Sequence, residues 1–373
     1  MRKSDISILS WILVIISSLL ILALLIGFAG TGTPSDAASA SGADILDTFE
    51  RDLNNQLSHV LEGVIPIRRT YTLSDSDMVA PKPNADLFGQ ADEPAQLAQV
   101  LESAAELLEG QKTLFTTETP IKEGSVIHYY LDDTIFAVTW KQVVDDCTYT
   151  FSEVKIAHAS QFRRFLSEGR YDSGILHTTT EMSESVNAVV ASSGDYYGYR
   201  SIGIVVNEGQ VYRDRGHFLD TCYIDDNGDM LFTYAGEITD RETAQKFVDE
   251  NNVRFSVCFG PVMVLNGEFR VPGNYNSGEI NGTYARAALC QMDSLHYVVV
   301  TANTEEPNYC MPTVAEFGLR LQEMGIPTAY ALDGGQTAAI VMNNQLINTV
   351  SYGSQREISD IIYFATALPQ RSE

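Results

Sequence analysis

The sequence predicts an α+β domain of mixed, largely antiparallel sheets with a few packed helices, preceded by one N-terminal transmembrane helix. Three observations carry this expectation. From residue 125 to the C-terminus, short runs rich in Tyr, Val, Ile, Thr and Phe recur with turn residues between them, as strands do. Helical periodicity appears only in isolated stretches, without the regular alternation that a parallel sheet requires. Ahead of both, residues 8–28 form an uncharged apolar run long enough, at the helical rise, to cross the hydrocarbon core of a bilayer.

Taken in order, the 373 residues leave room for about two domains, and an apolar fraction of 45% is ample for a sizeable core. Arg2 and Lys3 precede the apolar run. With that positive flank inside, residues 1–7 are a cytoplasmic N-terminus, residues 8–28 a single-pass anchor in the cell membrane, and everything beyond is extracytoplasmic. A cleaved signal peptide is the competing reading, since Ala38-Ser39-Ala40 resembles a small-residue cleavage site. Residues 29–43 are rich in Gly, Ser, Thr and Ala and suit a flexible linker. Ile45, Leu46, Phe49, Leu53, Leu57, Val60, Leu61 and Val64 then fall at helical spacing. Pro81, Pro83 and Pro94 punctuate a polar stretch, and residues 96–108 show a second helical pattern. Residues 29–124 therefore read as a linker and helical membrane-proximal spacer.

The net charge of -25 argues against nucleic acid as a partner, because gripping a polyphosphate backbone needs a basic surface. It also argues against adsorption to anionic lipid. Five cysteines, Cys147, Cys222, Cys258, Cys290 and Cys310, are scattered without a C-x-x-C pair, so a zinc site has no support. Cys258 and Cys290 sit in apolar runs, where a thiol acts as a small core residue.

Residues 125–367 make the main domain, followed by a short tail, 368–373. Residues 127–140 and 148–158 read as strands, and residues 161–168 and 181–188 as helices. Asp226-Asn227-Gly228 and Asn266-Gly267 are hairpin signals. The acidic run Asp225, Asp226, Asp229 lacks the ligand spacing and the distal Glu of a calcium loop, and no metal is expected there. His217, Glu237 and Glu279 have no motif around them.

The best-signalled stretch spans residues 313–350. Thr313 and Glu316 form a capping-box pattern, and Val314, Phe317, Leu321 and Met324 follow at helical spacing before Gly325. Residues 328–332 then read as a covered strand that delivers Asp333 to its end. The glycines Gly334 and Gly335 allow a ligand close to the backbone there, and a hairpin follows. A carboxylate so placed is a candidate reactive group, with a structural Asp-Gly turn as the plain alternative.

Several polar clusters are collinear with this stretch. They are Ala191 to Tyr199, with Asp195, Tyr196 and Tyr197 after a break at Gly194; Gly203-Ile204-Val205-Val206-Asn207-Glu208-Gly209; Phe259-Gly260-Pro261; Arg286-Ala287-Ala288-Leu289; Leu332-Asp333-Gly334-Gly335; and Arg356-Glu357-Ile358-Ser359-Asp360. In this order they resemble the phosphodiester glycosidase, or NAGPA-like, family. The sequence departs from the family pattern at Ser193, where the family has Asn; at Gln336, where it has a third Gly; at Thr337-Ala338, where it has Ser-Ser; and at Ala302-Asn303, where it has Asp-Gly.

The resemblance implies hydrolysis of a sugar 1-phosphodiester in an envelope or exopolysaccharide glycan, with no cofactor and no metal. Its partners would be a glycan or sugar-phosphate substrate and, through the N-terminal helix, the membrane. A phosphate leaving group has a second pKa near ~6 and needs charge neutralisation more than protonation. Arg286 and Arg356 suit phosphate oxygens, and the backbone of Gly334, Gly335 and Gln336, with Thr337, would add donors. Asp333 and Asp195 are the candidate catalytic carboxylates, with Tyr196 and Tyr197 holding the sugar. Two other readings stand beside this one: a noncatalytic glycan-binding or envelope-assembly protein, and a metal-dependent phosphodiesterase using Asp195 and Asp333 as ligands.

Overall fold

The computed structural model describes residues 71–74, 77–275 and 279–368. The expected cytoplasmic N-terminus, the anchor at 8–28, the candidate cleavage site, the linker, the amphipathic helix over 45–64 and all but the first residue of the tail lie outside the described residues. Among the described residues no helix is long and apolar enough to cross a membrane.

Three sheets organise the body, and every strand pairing among the described residues is antiparallel, so the expected mixed character gives way to a purely antiparallel one. The nine-stranded sheet runs, from edge to edge, Phe88–Ala91, Ile127–Leu131, Ile135–Val144, Cys147–Ile156, His296–Asn303, Arg286–Asp293, Thr328–Leu332, Val262–Leu265 and Glu268–Phe269. A five-stranded sheet holds Met230–Thr233, Thr221–Asp225, Val253–Val257, Gly203–Asn207 and Gln210–Arg215. A second five-stranded sheet holds Gln345–Leu346, Ile340–Met342, Val190–Ser193, Asp360–Phe364 and Phe162–Leu166.

Side chains of the large sheet alternate between two cores, as the two-residue period of a strand dictates. Ala288, Cys290, Val298, Val300, Ala329 and Ala331 join Trp140, Phe151 and Phe317 on one face. Ala287, Leu289, Tyr297, Val299, Tyr330 and Leu332 join Phe162, Phe255, Ile340 and Phe364 on the other, where the smaller sheets pack. The helix Val314–Glu323 covers the first face. It starts as its sequence dictates: the Glu316 N–H donates to Thr313 Oγ1 at 3.2 Å, and the Thr313 N–H to Glu316 Oε2 at 2.8 Å.

The segment read as a spacer packs into this same body. Phe88–Ala91 pairs with Ile127–Leu131, and Leu97, Ala104, Leu107 and Phe115 are buried in the first core. The boundary expected at residue 125 therefore falls inside a sheet. The helical pattern over 96–108 forms two short pieces, Ala98–Ser103 and Ala105–Leu108. Over 127–140 the chain makes two strands, because the Asp132 carboxylate accepts the N–H groups of Thr134 and Ile135 and turns the backbone between them. The helix expected over 161–168 is instead the strand Phe162–Leu166, paired with Asp360–Phe364. There Gln161 ends a single turn by accepting from Ala157 and His158, and Phe162 stacks on Phe364 at 4.5 Å. Residues 181–188 contribute the helix Thr179–Ser185, and both hairpin signals are hairpins.

Phe115 meets the Trp140 ring edge-on at 5.2 Å and is fully buried. Phe115→Ala is expected to lower stability by about 3–5 kcal/mol, seen as a lower denaturant midpoint. A change within a few tenths of a kcal/mol would show that the 94–115 segment is not part of the cooperative unit.

Candidate active site

Asp333 is carried to the end of the large sheet by Thr328–Leu332, a strand flanked on both sides and buried along its length from Ala329 to Leu332. The turn that follows is built against its neighbour. A Cβ at Gly334 would lie 2.2 Å from the Ala285 carbonyl oxygen, so only glycine fits there. The Gly335 N–H donates to that same oxygen at 2.9 Å, and the Gly334 N–H to Asp333 Oδ1 at 3.0 Å. Those two donors, expected to meet phosphate, are engaged inside the turn. Thr337, also expected at the ligand, is buried and bonds the Gly334 carbonyl at 2.8 Å. Gln336 bridges outward: its Nε2 donates to the Ser354 carbonyl at 3.1 Å, and its own carbonyl accepts from the Arg356 N–H at 3.4 Å. The residue that replaces a family glycine thus ties the Asp333 turn to the loop that carries Arg356.

Arg356 closes the arrangement by an ion pair between its Nη2 and Asp333 Oδ2, the two side chains being 32% and 15% exposed. Its guanidinium centre lies 5.0 Å from the ring centroids of both Tyr196 and Tyr199, which stack on each other at 5.1 Å. The Tyr199 hydroxyl donates to the Glu357 carbonyl. Arg200 stands 5.8 Å from the Tyr196 ring and 5.6 Å from the Phe259 ring. Burial pushes the Asp333 carboxyl above its ordinary pKa, against the pull of Arg356, Thr337, the Gly334 N–H and Arg200. The result is a largely buried carboxylate with a guanidinium on it and an aromatic wall beside it.

Asp195 occupies a different place from the one expected. Its side chain has no exposure; Oδ1 is 2.9 Å from Arg200 Nη2, and Oδ2 accepts the Cys258 N–H at 3.0 Å with Arg164 at 3.8 Å. Its own N–H donates to both oxygens of Asp360, whose Oδ2 is 2.7 Å from Arg164 Nε. Arg164 continues to the carbonyls of Val206 and Ser256. Gly194 is required here, since a Cβ would fall 2.3 Å from Asp360 Oδ2. Burial raises the Asp360 carboxyl to about 7, with Arg164 opposing and Asp195 adding to the rise. Asp195 thus joins the site through Arg200 rather than by touching a ligand.

Tyr197 is likewise buried. It stacks on Tyr171 at 5.1 Å and donates to the Ser359 carbonyl at 3.2 Å, so Tyr196 and Tyr199 form the aromatic wall. Arg286 follows Asp333 in register, one residue beyond the Ala287–Leu332 pair, yet its side chain turns away. Its Nε donates to the Pro312 carbonyl at 3.1 Å and its Nη2 to those of Glu279 and Gly282, with the Tyr284 ring 5.4 Å away. Its charge acts on Glu279 and Tyr284, and the structure does not join it to the Asp333–Arg356 pair. Glu279 accepts from the Tyr284 hydroxyl, and Asp225 folds its own hairpin by accepting from Asn227 and Asp229. A cavity of about 430 Å³ lined by Arg163, Arg164, Glu208, Asp249 and Arg254 among others does not have Asp333 in its walls.

Sequence reasoning missed Arg164, Arg200, Tyr199 and Asp360 as functional groups. Tyr199 and Asp360 lie inside the motifs quoted above, and Arg200 directly follows the first of them. Arg164 lies in the stretch read as a helix, and only the pairing of its strand with Asp360–Phe364 exposes its partner.

A family model described as phosphodiester glycosidase matches residues 185–365. The SPbeta prophage-derived uncharacterized protein YomE of Bacillus subtilis is 23% identical over 193 residues, 50% of this chain and 29% of that protein. The chain thus spans 29% of the length of this curated relative. Among solved structures, the catalytic domain of zebrafish N-acetylglucosamine-1-phosphodiester alpha-N-acetylglucosaminidase, auto-inhibited by its pro-peptide, superimposes with a TM-score of 0.50 at 14% identity, covering 70% of this chain and 92% of that one. A hypothetical protein from Synechocystis gives 0.46 at 12% identity over 66% of this chain and 64% of its own. At such identities the likeness to the zebrafish domain is one of fold.

Asp360→Ala is expected to cost about 3–5 kcal/mol in denaturant unfolding, because it strands the buried Arg164 charge. The pair replacement Asp360→Leu with Arg164→Met should recover much of that loss. If Asp360→Ala alone were neutral, the buried network would carry no structural weight.

Proposed function

Because residues 185–365 carry the phosphodiester glycosidase family domain, we propose that this protein hydrolyses a sugar 1-phosphodiester, releasing the sugar and a phosphate monoester. The observation that carries the reading is the Asp333–Arg356 pair against the Tyr196–Tyr199 wall. Arg356 binds the phosphate, with Arg200 adding positive charge behind it, and the tyrosine faces hold the sugar ring. Asp333 is the carboxylate set against the positive charge that develops at the anomeric centre, and it accepts the proton of the attacking water. The anomeric C–O bond breaks and its electron pair leaves with the phosphate.

One partly exposed carboxylate suffices for this chemistry. An alcohol leaving group needs a second, acidic carboxyl to protonate it. A phosphate monoester, already charged, needs a guanidinium instead. That difference fits a site in which Asp195 is sealed among arginines while Asp333 keeps partial exposure. It also weighs against a metal-dependent phosphodiesterase. Asp195 has both oxygens engaged by Arg200 and the Cys258 N–H, and three guanidinium groups surround the two carboxylates that would have to hold the cation.

The remaining parts of the proposal rest on the sequence. The apolar run at 8–28 behind Arg2 and Lys3 supports a single-pass anchor with the domain outside the cytoplasm. An envelope or exopolysaccharide glycan is the substrate class in that setting. An N-acetylglucosamine 1-phosphodiester, for which the zebrafish enzyme is named, is the natural first compound to offer.

Sugar release from that compound is expected to persist in chelator and to fall by about 100- to 10,000-fold in Asp333→Asn. Activity lost to chelator would favour the metal reading, and tight glycan binding without turnover a binding module. Asp333 works ionised, so activity should decline as pH falls through its pKa. Since burial raises that value, the acid limb should lie above the ordinary carboxylate region near ~4. Arg356→Ala removes the strongest opposing pull and should move the limb higher still, with KM raised. A limb that stays put in Arg356→Ala would break the assignment.

A further inference from the structure

We propose that Cys147 and Cys310 form a disulfide that fastens the loop ahead of the helix Val314–Glu323 to the turn between Ile135–Val144 and Cys147–Ile156. Two hydrogen bonds already hold loop and turn in register. The Cys310 N–H donates to the Asp146 carbonyl at 3.2 Å, and Asn308 Nδ2 to Asp146 Oδ1 at 2.9 Å. Arg320, on the helix itself, pairs with Asp145 in the same turn. Held this way, Cys310 packs on the core that contains Cys147, close enough for the two thiols to act on each other. The other three cysteines differ: Cys222, Cys258 and Cys290 are fully buried, and the Cys258 thiol is engaged by Thr221 at 3.2 Å.

The two sulfurs are unequally placed for the chemistry. Cys310 is half-buried and open to a small oxidant, whereas Cys147 is buried. Burial, then the neighbouring Cys310 thiol, pushes the Cys147 thiol up to about 12. Thiolate attack on a low-molecular-weight disulfide therefore begins at Cys310, giving a mixed disulfide and releasing one small thiol. Cys147 then loses its proton and attacks Cys310 Sγ. The new S–S bond forms, the mixed bond breaks, and the second small thiol departs. In balance, two protein thiols are oxidised and one small disulfide is reduced to two thiols.

The closure spans roughly 160 residues, a long loop whose crosslinking constrains the unfolded chain strongly. It also reaches Arg286. Pro312, two residues after Cys310, supplies the carbonyl that holds the Arg286 Nε at 3.1 Å. Fastening Cys310 limits the travel of that carbonyl and so of the guanidinium.

The test is to incubate the full chain with oxidised glutathione, block free thiols, and map peptides by mass without reduction. A linked peptide containing Cys147 and Cys310 is expected, with the intact protein lighter by about 2 Da and the change reversed by dithiothreitol. The unfolding midpoint should rise on oxidation, and Cys310→Ala should abolish both the link and the rise. Glutathione retained on Cys310 with no linked peptide, a link between any other pair, or five thiols still free after oxidation would each overturn the proposal.

Discussion

The structure depends on a set of charges held largely out of water. Arg164 and Asp360 pair across two adjacent strands of one small sheet, Arg164 reaches the carbonyls of Val206 and Ser256 in the other, and Asp195 and Arg200 complete the set from the loop between. Two carboxylates and two guanidinium groups balance, which is the condition under which such a cluster is tolerable in a low-dielectric interior. The cluster does what apolar packing alone cannot. It sets the direction of the loop that carries Tyr196, Tyr199 and Arg200, because the Asp195 N–H and carboxylate are both held. The ion pair of Asp333 with Arg356 comes from elsewhere in the chain and meets that loop at the end of the large sheet.

The overall charge gives the location of this pair its meaning. A protein of net charge -25 repels phosphate at long range. On the proposed function, an anionic ester has to be held locally, by partly desolvated guanidinium groups at short distance, where a charge interacts more strongly than it does in bulk water. Arg356 and Arg200 are such groups. Arg286 does not take part in this pairing, since its guanidinium gathers the carbonyls of Glu279, Gly282 and Pro312 beside the neighbouring strand.

Much of the fold was legible in the sequence. The helix after Thr313 was readable because its cap is encoded within four residues, and the strand ending at Asp333 because burial on both faces leaves a continuous apolar run. Antiparallel pairing and the hairpins followed from turn residues. Residues 161–168 were misread because their fate is decided by a strand two hundred residues away, which no local period reports. The placement of 88–115 failed for a related reason: short, weakly periodic pieces become core only when a sheet face is waiting for them. At the candidate site, motif order singled out Asp333, Arg356 and Tyr196, which the structure brings together, but not which of the motif side chains are sealed in the interior. Asp195, Tyr197 and Arg286 sit in the same motifs and point into the protein, a distinction that rests on partners far away in sequence.

The central claim is that the chemistry occurs at the sugar carbon, with phosphate as leaving group. Hydrolysis in heavy-oxygen water tests it most directly, because the label marks the atom that water attacks. The account predicts the label in the released sugar and none in the phosphate monoester. Label in the phosphate would place the attack on phosphorus and contradict it.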